Sequence, residues 1–197
     1  MKRLAVYAVA LAVLGALVGW VSLFGGLPEP MGANMGQFIS RKVHFVFLVL
    51  CIGLLIFGPL FPGETRAGRV LWTAGAGVIH ALVVQVGKKF FFWPRPIDVG
   101  HTVDNAVRGS GFPSGHTVPV FIVAVMVGTL YPRFQSPALL VAVLVGYSRA
   151  EVLAHFPLQV WLSALIGIVL GVLWTKVRER WIEQRPTSDS EHPIALP

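Results

Sequence analysis

Cysteine is nearly absent from this chain: Cys51 stands alone among 197 residues. One thiol excludes a disulfide framework and a thiolate metal site, and because Cys51 lies inside an apolar run its expected role is packing. Charge is scarce as well. Only 13% of the residues are charged against 55% hydrophobic, with a mean hydropathy of +0.71, whereas a soluble chain carries about 25% charged residues. That composition belongs in a bilayer. At roughly 20 residues per span the length permits one compact bundle of about five to seven helices, with little left for a soluble domain. Acidic residues are the rarer sign, nine against 16 Lys and Arg, for a net charge of +7. In a membrane chain such an excess reports basic loops facing the cytoplasm and anionic lipid, so no nucleic-acid partner is expected.

What the chain does have is six apolar runs, at residues 4–24, 43–61, 70–87, 117–131, 138–153 and 157–175. The first follows Lys2 and Arg3. It is long for the core of a signal peptide and no small-x-small cleavage site follows it, so it is read as a span. Residues 25–42 are rich in Gly and Pro and are expected to be a loop, part of it along the interface. Pro59 and Pro62-Gly63 close the second run. Gly75 and Gly77 in the third, and the spaced pairs Gly15/Gly19 and Gly167/Gly171, fit close helix contact. The fourth run is about 22 Å long at 1.5 Å per residue, against a hydrocarbon core of roughly 30 Å, so its start is expected to be sunk below the membrane surface. Pro157 suits the first position of the last helix, where a missing N–H costs nothing. Residues 1–24 and the core at 43–175 are expected to form one domain, followed by a basic, disordered cytoplasmic tail at 176–197.

Six spans put both termini on one face. Lys2, Arg3, Arg66, Arg69, Arg133, Lys176, Arg178, Arg180 and Arg185 share it, nine of the 16 basic residues. The bias points the termini into the cytoplasm, and the long connection 88–115 and the turn 148–157 then open together on the outer side.

Three polar islands lie on that outer side. Pro113-Ser114-Gly115-His116 opens the fourth run, where a hydroxyl and the positive end of a helix dipole suit an oxyanion, although a Ser here is also an ordinary helix cap. His116 can exchange a proton near neutral pH. Lys88 with Arg95-Pro96, and Ser148-Arg149 with His155, add three cations and a second imidazole. Ionisable groups at span ends are costly unless they pair or bind something, and guanidinium forks match phosphate oxygens. The neighbouring Lys89 is expected to snorkel to headgroups, while Arg149 has Glu151 and Glu29 as possible ion partners. Asp98, His101, Asp104 and Arg108 are loop residues that either contact a headgroup or are simply solvated. His44 and His80 lie in or at spans away from the motifs and are read as structural.

Lys88-x6-Arg95-Pro96, Pro113-Ser114-Gly115-His116 and Ser148-Arg149-x5-His155 resemble, in order, the three-part signature of the type 2 phosphatidic acid phosphatase superfamily of membrane lipid phosphatases. The resemblance implies an all-α, integral membrane six-helix bundle of the lipid phosphatase type. It implies hydrolysis of a lipid phosphate with no metal and no cofactor, through a phosphohistidine. His155 would be the nucleophile, and His116 would protonate the leaving oxygen and then activate water. Lys88, Arg95, Ser114, Gly115 and Arg149 would hold the phosphate oxygens.

One position departs from the signature. Gln159 stands where the family usually carries an aspartate, four residues after the nucleophile. One helical turn puts it beside His155, where its carbonyl can accept the imidazole N–H and orient the ring without a carboxylate's charge, so an attenuated nucleophile is expected. The implied substrates are lipid phosphates or diphosphates at the periplasmic face of a bacterial inner membrane: undecaprenyl diphosphate, phosphatidylglycerophosphate, phosphatidic acid or lipid A phosphates. The motifs read phosphate rather than tail, and they name no protein partner. Phosphotransfer to another lipid, and a non-catalytic lipid-binding role permitted by Gln159, stay open beside hydrolysis.

Overall fold

The computed structural model describes residues 2–26, 31–99 and 109–184, which are helical with no strand among them. α1 (Lys2–Phe24) is followed by α2 (Met31–Phe38), which passes through a π-helical turn at Ile39–Val43 straight into α3 (His44–Phe57). Then come α4 (Arg66–Phe90), α5 (Thr117–Leu130), α6 (Gln135–Glu151) and α7 (Pro157–Glu183). With α2, the π turn and α3 forming one rod, six helices make up the bundle among the described residues, as expected. Four stretches, Arg3–Phe24, Asn34–Phe57, Arg66–Phe90 and Pro157–Glu183, are long and apolar enough to cross a bilayer. The protein is an integral membrane protein.

Two boundaries differ from expectation. Residues 31–42, expected as loop, are helical. Their glycines mimic a loop signal, but Gly36 is there because α2 lies against the end of α6: a Cβ at this position would come 2.7 Å from Val152 Cγ1. α7 also runs eight residues past the expected end at 175, to Glu183. The charges from Lys176 onward close the apolar run without ending the helix. The remainder of the expected tail, 185–197, lies outside the described residues, as do Glu29, His101, Asp104 and Arg108.

α5 is the axis of the bundle. Every residue from Thr117 to Leu130 except Thr129 is buried, which fits a helix that is apolar all round. It packs on α7, α6, α3 and α4, while α1 lies outside against α6 and α7. The α5–α7 contact is close because Gly167 and Gly171 face it. A Cβ at Gly167 would come 2.7 Å from the Val118 carbonyl, and one at Gly171 would come 2.8 Å from Val125 Cβ. In the other pair Gly15 abuts Trp161 and Gly19 touches nothing. α4 is tied to α7 by reciprocal indole bonds, Trp72 Nε1 to the Trp174 carbonyl at 3.2 Å and Trp174 Nε1 to the Trp72 carbonyl at 2.9 Å.

The start of α5 is sunk. Gly115 neighbours His80, ten residues before the end of α4, which is about 15 Å down that helix at 1.5 Å per residue. At the opposite end Glu64 pairs with both Arg69 and Arg178, and the Tyr131 hydroxyl accepts from Arg69 Nη1 at 3.0 Å. This buried network clamps the ends of α3, α4, α5 and α7.

Candidate active site

Two chain segments are laced together above the sunken start of α5. Gly111 N–H donates to the Trp93 carbonyl at 2.7 Å. The Ser110 hydroxyl donates to the Phe91 carbonyl at 2.7 Å, and Phe112 packs on Phe91 and Trp93. At the base Pro113 fits over Gly87, where a Cβ would come 2.4 Å from its Cδ. The Lys88–Arg95 island and the Ser114–His116 island therefore form one structure. Ser114, fully buried, braces the turn before α5: its Oγ accepts from Thr117 N–H at 3.3 Å and Thr117 Oγ1 at 3.1 Å. Its own N–H donates to Ser163 Oγ at 2.8 Å, which fastens this corner to α7.

The third island arrives from the end of α6. The chain turns through Leu153, whose φ of 51° is in the left-handed region, a conformation costing a non-glycine residue roughly 1–2 kcal/mol. The N–H groups of Ala154 and His155 then both donate back to the Arg149 carbonyl, at 3.1 and 3.2 Å. The turn thereby sets His155 beside Arg149, 3% exposed.

His155 Nδ1 lies 2.7 Å from the carbonyl oxygen of Gly111. A carbonyl only accepts, so Nδ1 carries the proton and Nε2 keeps a lone pair. This corrects the expected role of Gln159, because the acceptor that orients the imidazole is the backbone. Gln159 acts one layer further out. Its Oε1 accepts the Phe156 N–H at 3.1 Å, capping α7, and its Nε2 donates to the Pro94 carbonyl at 2.8 Å. Gly111 lies so close that a Cβ there would come 2.5 Å from Oε1. Gln159 thus supports the loop that supports His155.

The islands share one electrostatic neighbourhood. His116 feels Arg149, Lys88 and Arg95, and His155 feels Arg149, Arg95 and His116. Burial first, then these cations, hold both imidazoles far below the usual 6.5, down to about 3 in each case; for His155 the Gly111 carbonyl opposes the shift. Burial likewise lowers Arg95, while Asp98 opposes it. Asp98 accepts the Arg95 backbone N–H at 2.9 Å, so it braces the loop at this residue. Arg149 Nη1 bonds Ser40 Oγ on the π turn. The buried Nε atoms of Arg95 and Arg149 have no partner among the described residues. Lys88 is half-buried and Lys89 exposed, which separates the pair as expected. Two neutral imidazoles under fixed positive charge make a site that repels protons and attracts a multivalent anion.

Sequence reasoning missed three residues here. His44, read as structural and remote, stacks against His116 with ring centroids 4.6 Å apart. His80 lies beside the Gly115 backbone. Ser40 contacts Arg149 from a segment read as loop. The available signal was an ionisable residue within an apolar span, a functional pointer by default.

Residues 69–183 match the family model of the PAP2 superfamily. The undecaprenyl-diphosphatase BcrC of Bacillus subtilis (strain 168) is 26% identical over 141 residues, 70% of each chain. The bacitracin transport permease protein BcrC of Bacillus licheniformis is 32% identical over 88 residues, 44% of this chain and 41% of that one. Among solved structures, Aquifex aeolicus LpxE superposes with a TM-score of 0.61 at 26% identity, covering 80% of this chain and 92% of its own. The first transmembrane PAP2 type phosphatidylglycerolphosphate phosphatase from Bacillus subtilis gives 0.58 at 18% identity, covering 93% and 98%. That last likeness is one of fold.

Proposed function

The chain belongs to the PAP2 superfamily, which makes it an integral membrane lipid phosphate phosphatase, and from that premise we propose that its substrate is a lipid diphosphate such as undecaprenyl diphosphate. The relative named undecaprenyl-diphosphatase, alike over 70% of both chains, supports this choice over phosphatidylglycerophosphate or phosphatidic acid. The cleaved bond lies at the periplasmic face of a bacterial inner membrane, with both termini cytoplasmic. The excess of basic residues on the terminal face supports that orientation.

The observation that carries the mechanism is the 2.7 Å bond from His155 Nδ1 to the Gly111 carbonyl. It leaves Nε2 as a lone pair, the form that attacks phosphorus. Arg95, Arg149 and Lys88 hold the equatorial oxygens, helped by the positive end of α5 at Ser114 and Gly115. Burial first and then the neighbouring cations keep His116 neutral in the free site; the bound anion neutralises those cations and sets negative charge against the imidazole, which takes up a proton on binding. As the N–P bond to His155 forms, the P–O bond to the lipid breaks and His116 gives its proton to the leaving oxygen. Water then attacks the phosphohistidine and returns a proton to His116. The P–N electrons go back to His155 and inorganic phosphate leaves.

The test is phosphate release by purified protein from a panel of lipid phosphates and diphosphates, with acid-quenched mass spectrometry of the His155 peptide. Turnover of the diphosphate with a phosphorylated His155 is expected. No release from any lipid, or turnover without modification at His155, would sink the mechanism. A backbone acceptor already orients His155, which favours hydrolysis over the non-catalytic role that Gln159 left open.

A further inference from the structure

Two imidazoles outside the three motifs sit deep in the bundle. His44 opens α3, but that helix continues a rod beginning at Met31, so His44 lies about 20 Å down the rod at 1.5 Å per residue. His80 is about 15 Å down α4 by the same measure. Both are therefore near the level of the sunken start of α5. A π turn immediately precedes His44, and such single turns cluster at functional sites. The Nε2 atoms of His44 and His80 are buried with no hydrogen-bond partner among the described residues, a costly arrangement for groups that serve packing alone.

Both line one cavity of about 280 Å³ between α3, α4 and α5. Its head is formed by His44, His80 and Gly115, and its body by apolar residues including Leu48, Ala76 and Met126. Gly77 lines it too, and a side chain there would meet nothing within 4 Å. The order along the molecule is a cationic cup with His155, then His116, then His44 and His80, then an apolar slot. A terminal phosphate, a scissile oxygen, a second phosphate and a hydrocarbon chain follow one another in the same order.

We propose that His44 and His80 are specificity residues for the second, lipid-linked phosphate of a diphosphate substrate whose chain begins in the α3–α4–α5 slot, His44 as a hydrogen-bond donor and His80, whose ring already bonds the Gly115 backbone, as an imidazolium formed when the anion binds. This rests on the phosphatase reading above and deepens it. The two residues stabilise the departing lipid monophosphate, on which negative charge develops as His116 protonates the bridging oxygen. A lipid monophosphate has no group to place between them, because its single phosphate occupies the cup.

The experiment compares kcat/KM for a polyprenyl diphosphate and the chain-matched polyprenyl monophosphate, using wild type, His44→Leu, His80→Leu and the glutamine variants, which keep an N–H donor. Each leucine variant is expected to lose about tenfold or more on the diphosphate, the scale of a lost charge-assisted hydrogen bond. Its loss on the monophosphate should be smaller, so that the ratio of the two kcat/KM values falls, and glutamine should recover most of that ratio. Equal losses on both lipids, which a packing role gives, or no loss on either, overturn the assignment. So does a wild type that cleaves only the monophosphate. A wild type inactive on both lipids sinks the phosphatase reading instead, so the two failures are distinct. If the leucine variants fail to fold, His44→Met and His80→Met replace them, keeping apolar bulk without an N–H: a larger loss on the diphosphate than on the monophosphate upholds the assignment, and a parallel fall or no fall on both lipids ends it.

Discussion

The carbonyl oxygen of Gly111 lies 2.7 Å from Nδ1 of His155, on a residue 44 positions away in sequence. A backbone carbonyl cannot titrate, so it fixes the imidazole tautomer at every pH and adds no charge of its own. Its position depends on Gln159, which grips the Pro94 carbonyl and the Phe156 N–H and fills the space beside Gly111.

Gln159→Asp therefore should not raise turnover, even though it restores the residue common at this position in related phosphatases. The acceptor slot on Nδ1 is filled, and a shorter carboxylate loses the donor to Pro94. A fall in kcat of about tenfold is expected, on the scale of a lost buried hydrogen bond. A variant faster than wild type would mean that the developing imidazolium needs a carboxylate beside it.

His155→Ala and His116→Ala should each cost at least the roughly 10²-fold typical of losing a nucleophile or acid–base group. Gly111→Ala should approach them without touching the chemistry, since its methyl collides with Gln159 and displaces the carbonyl. Single-turnover kinetics separate the cases. His116→Ala should still accumulate some phosphohistidine, and His155→Ala none.

Much of this was legible in the sequence. Six helices, a sunken fourth one and the grouping of three islands follow from run lengths, proline positions and motif order. The α2 rod was not, because Gly32 and Gly36 resemble loop glycines until the α6 end against which Gly36 lies is known. His44 and His80 are flagged only as ionisable residues within apolar spans; what they face was not legible, since their neighbours in space come from other helices. The Gly111 carbonyl was invisible for a plainer reason: every residue has one, and only the folded chain shows which is aimed at the imidazole.

Stability should fall in acid through the two site imidazoles. Both are held near 3 in the fold against 6.5 ordinarily, so below about pH 6.5 the unfolded chain binds more protons than the native one. Their contribution is complete above that pH and is lost progressively as pH drops toward 3. Melting of the detergent-solubilised protein between pH 7.5 and 4.5 should show this decline. The double variant His116→Gln/His155→Gln should show a shallower one, and parallel slopes would refute the assignment.

The cations should divide by burial. Lys88→Ala removes a charge felt by His116 and should lower kcat/KM roughly tenfold, as expected for a charge-assisted contact. The exposed Lys89→Ala should change it less than twofold. Orthovanadate, a mimic of five-coordinate phosphorus, should inhibit wild type and bind Lys88→Ala more weakly. EDTA should leave the rate intact. Strong chelator inhibition that magnesium reverses would contradict the metal-free route.

Glu64 offers the cleanest separation of stability from catalysis, because its network lies at the end of the bundle remote from His155. Its side chain, 4% exposed, faces Arg69 at 0% and Arg178 at 9%. Arg69 also donates to the Leu55 and Pro59 carbonyls at 3.2 and 3.0 Å and to the Tyr131 hydroxyl, so it cannot swing away to water when its counter-ion is removed. Glu64→Gln leaves the Arg69 guanidinium confined without its anion, while Arg178 keeps Glu179 nearby, and breaking a buried pair in this way costs about 3–5 kcal/mol. A clear drop in melting temperature is expected, with kcat per folded molecule unchanged. If Glu64→Gln melts like wild type, the network contributes no stability. If instead it slows turnover as much as His155→Ala at full stability, the two ends of the bundle are coupled through α5, the helix that touches both.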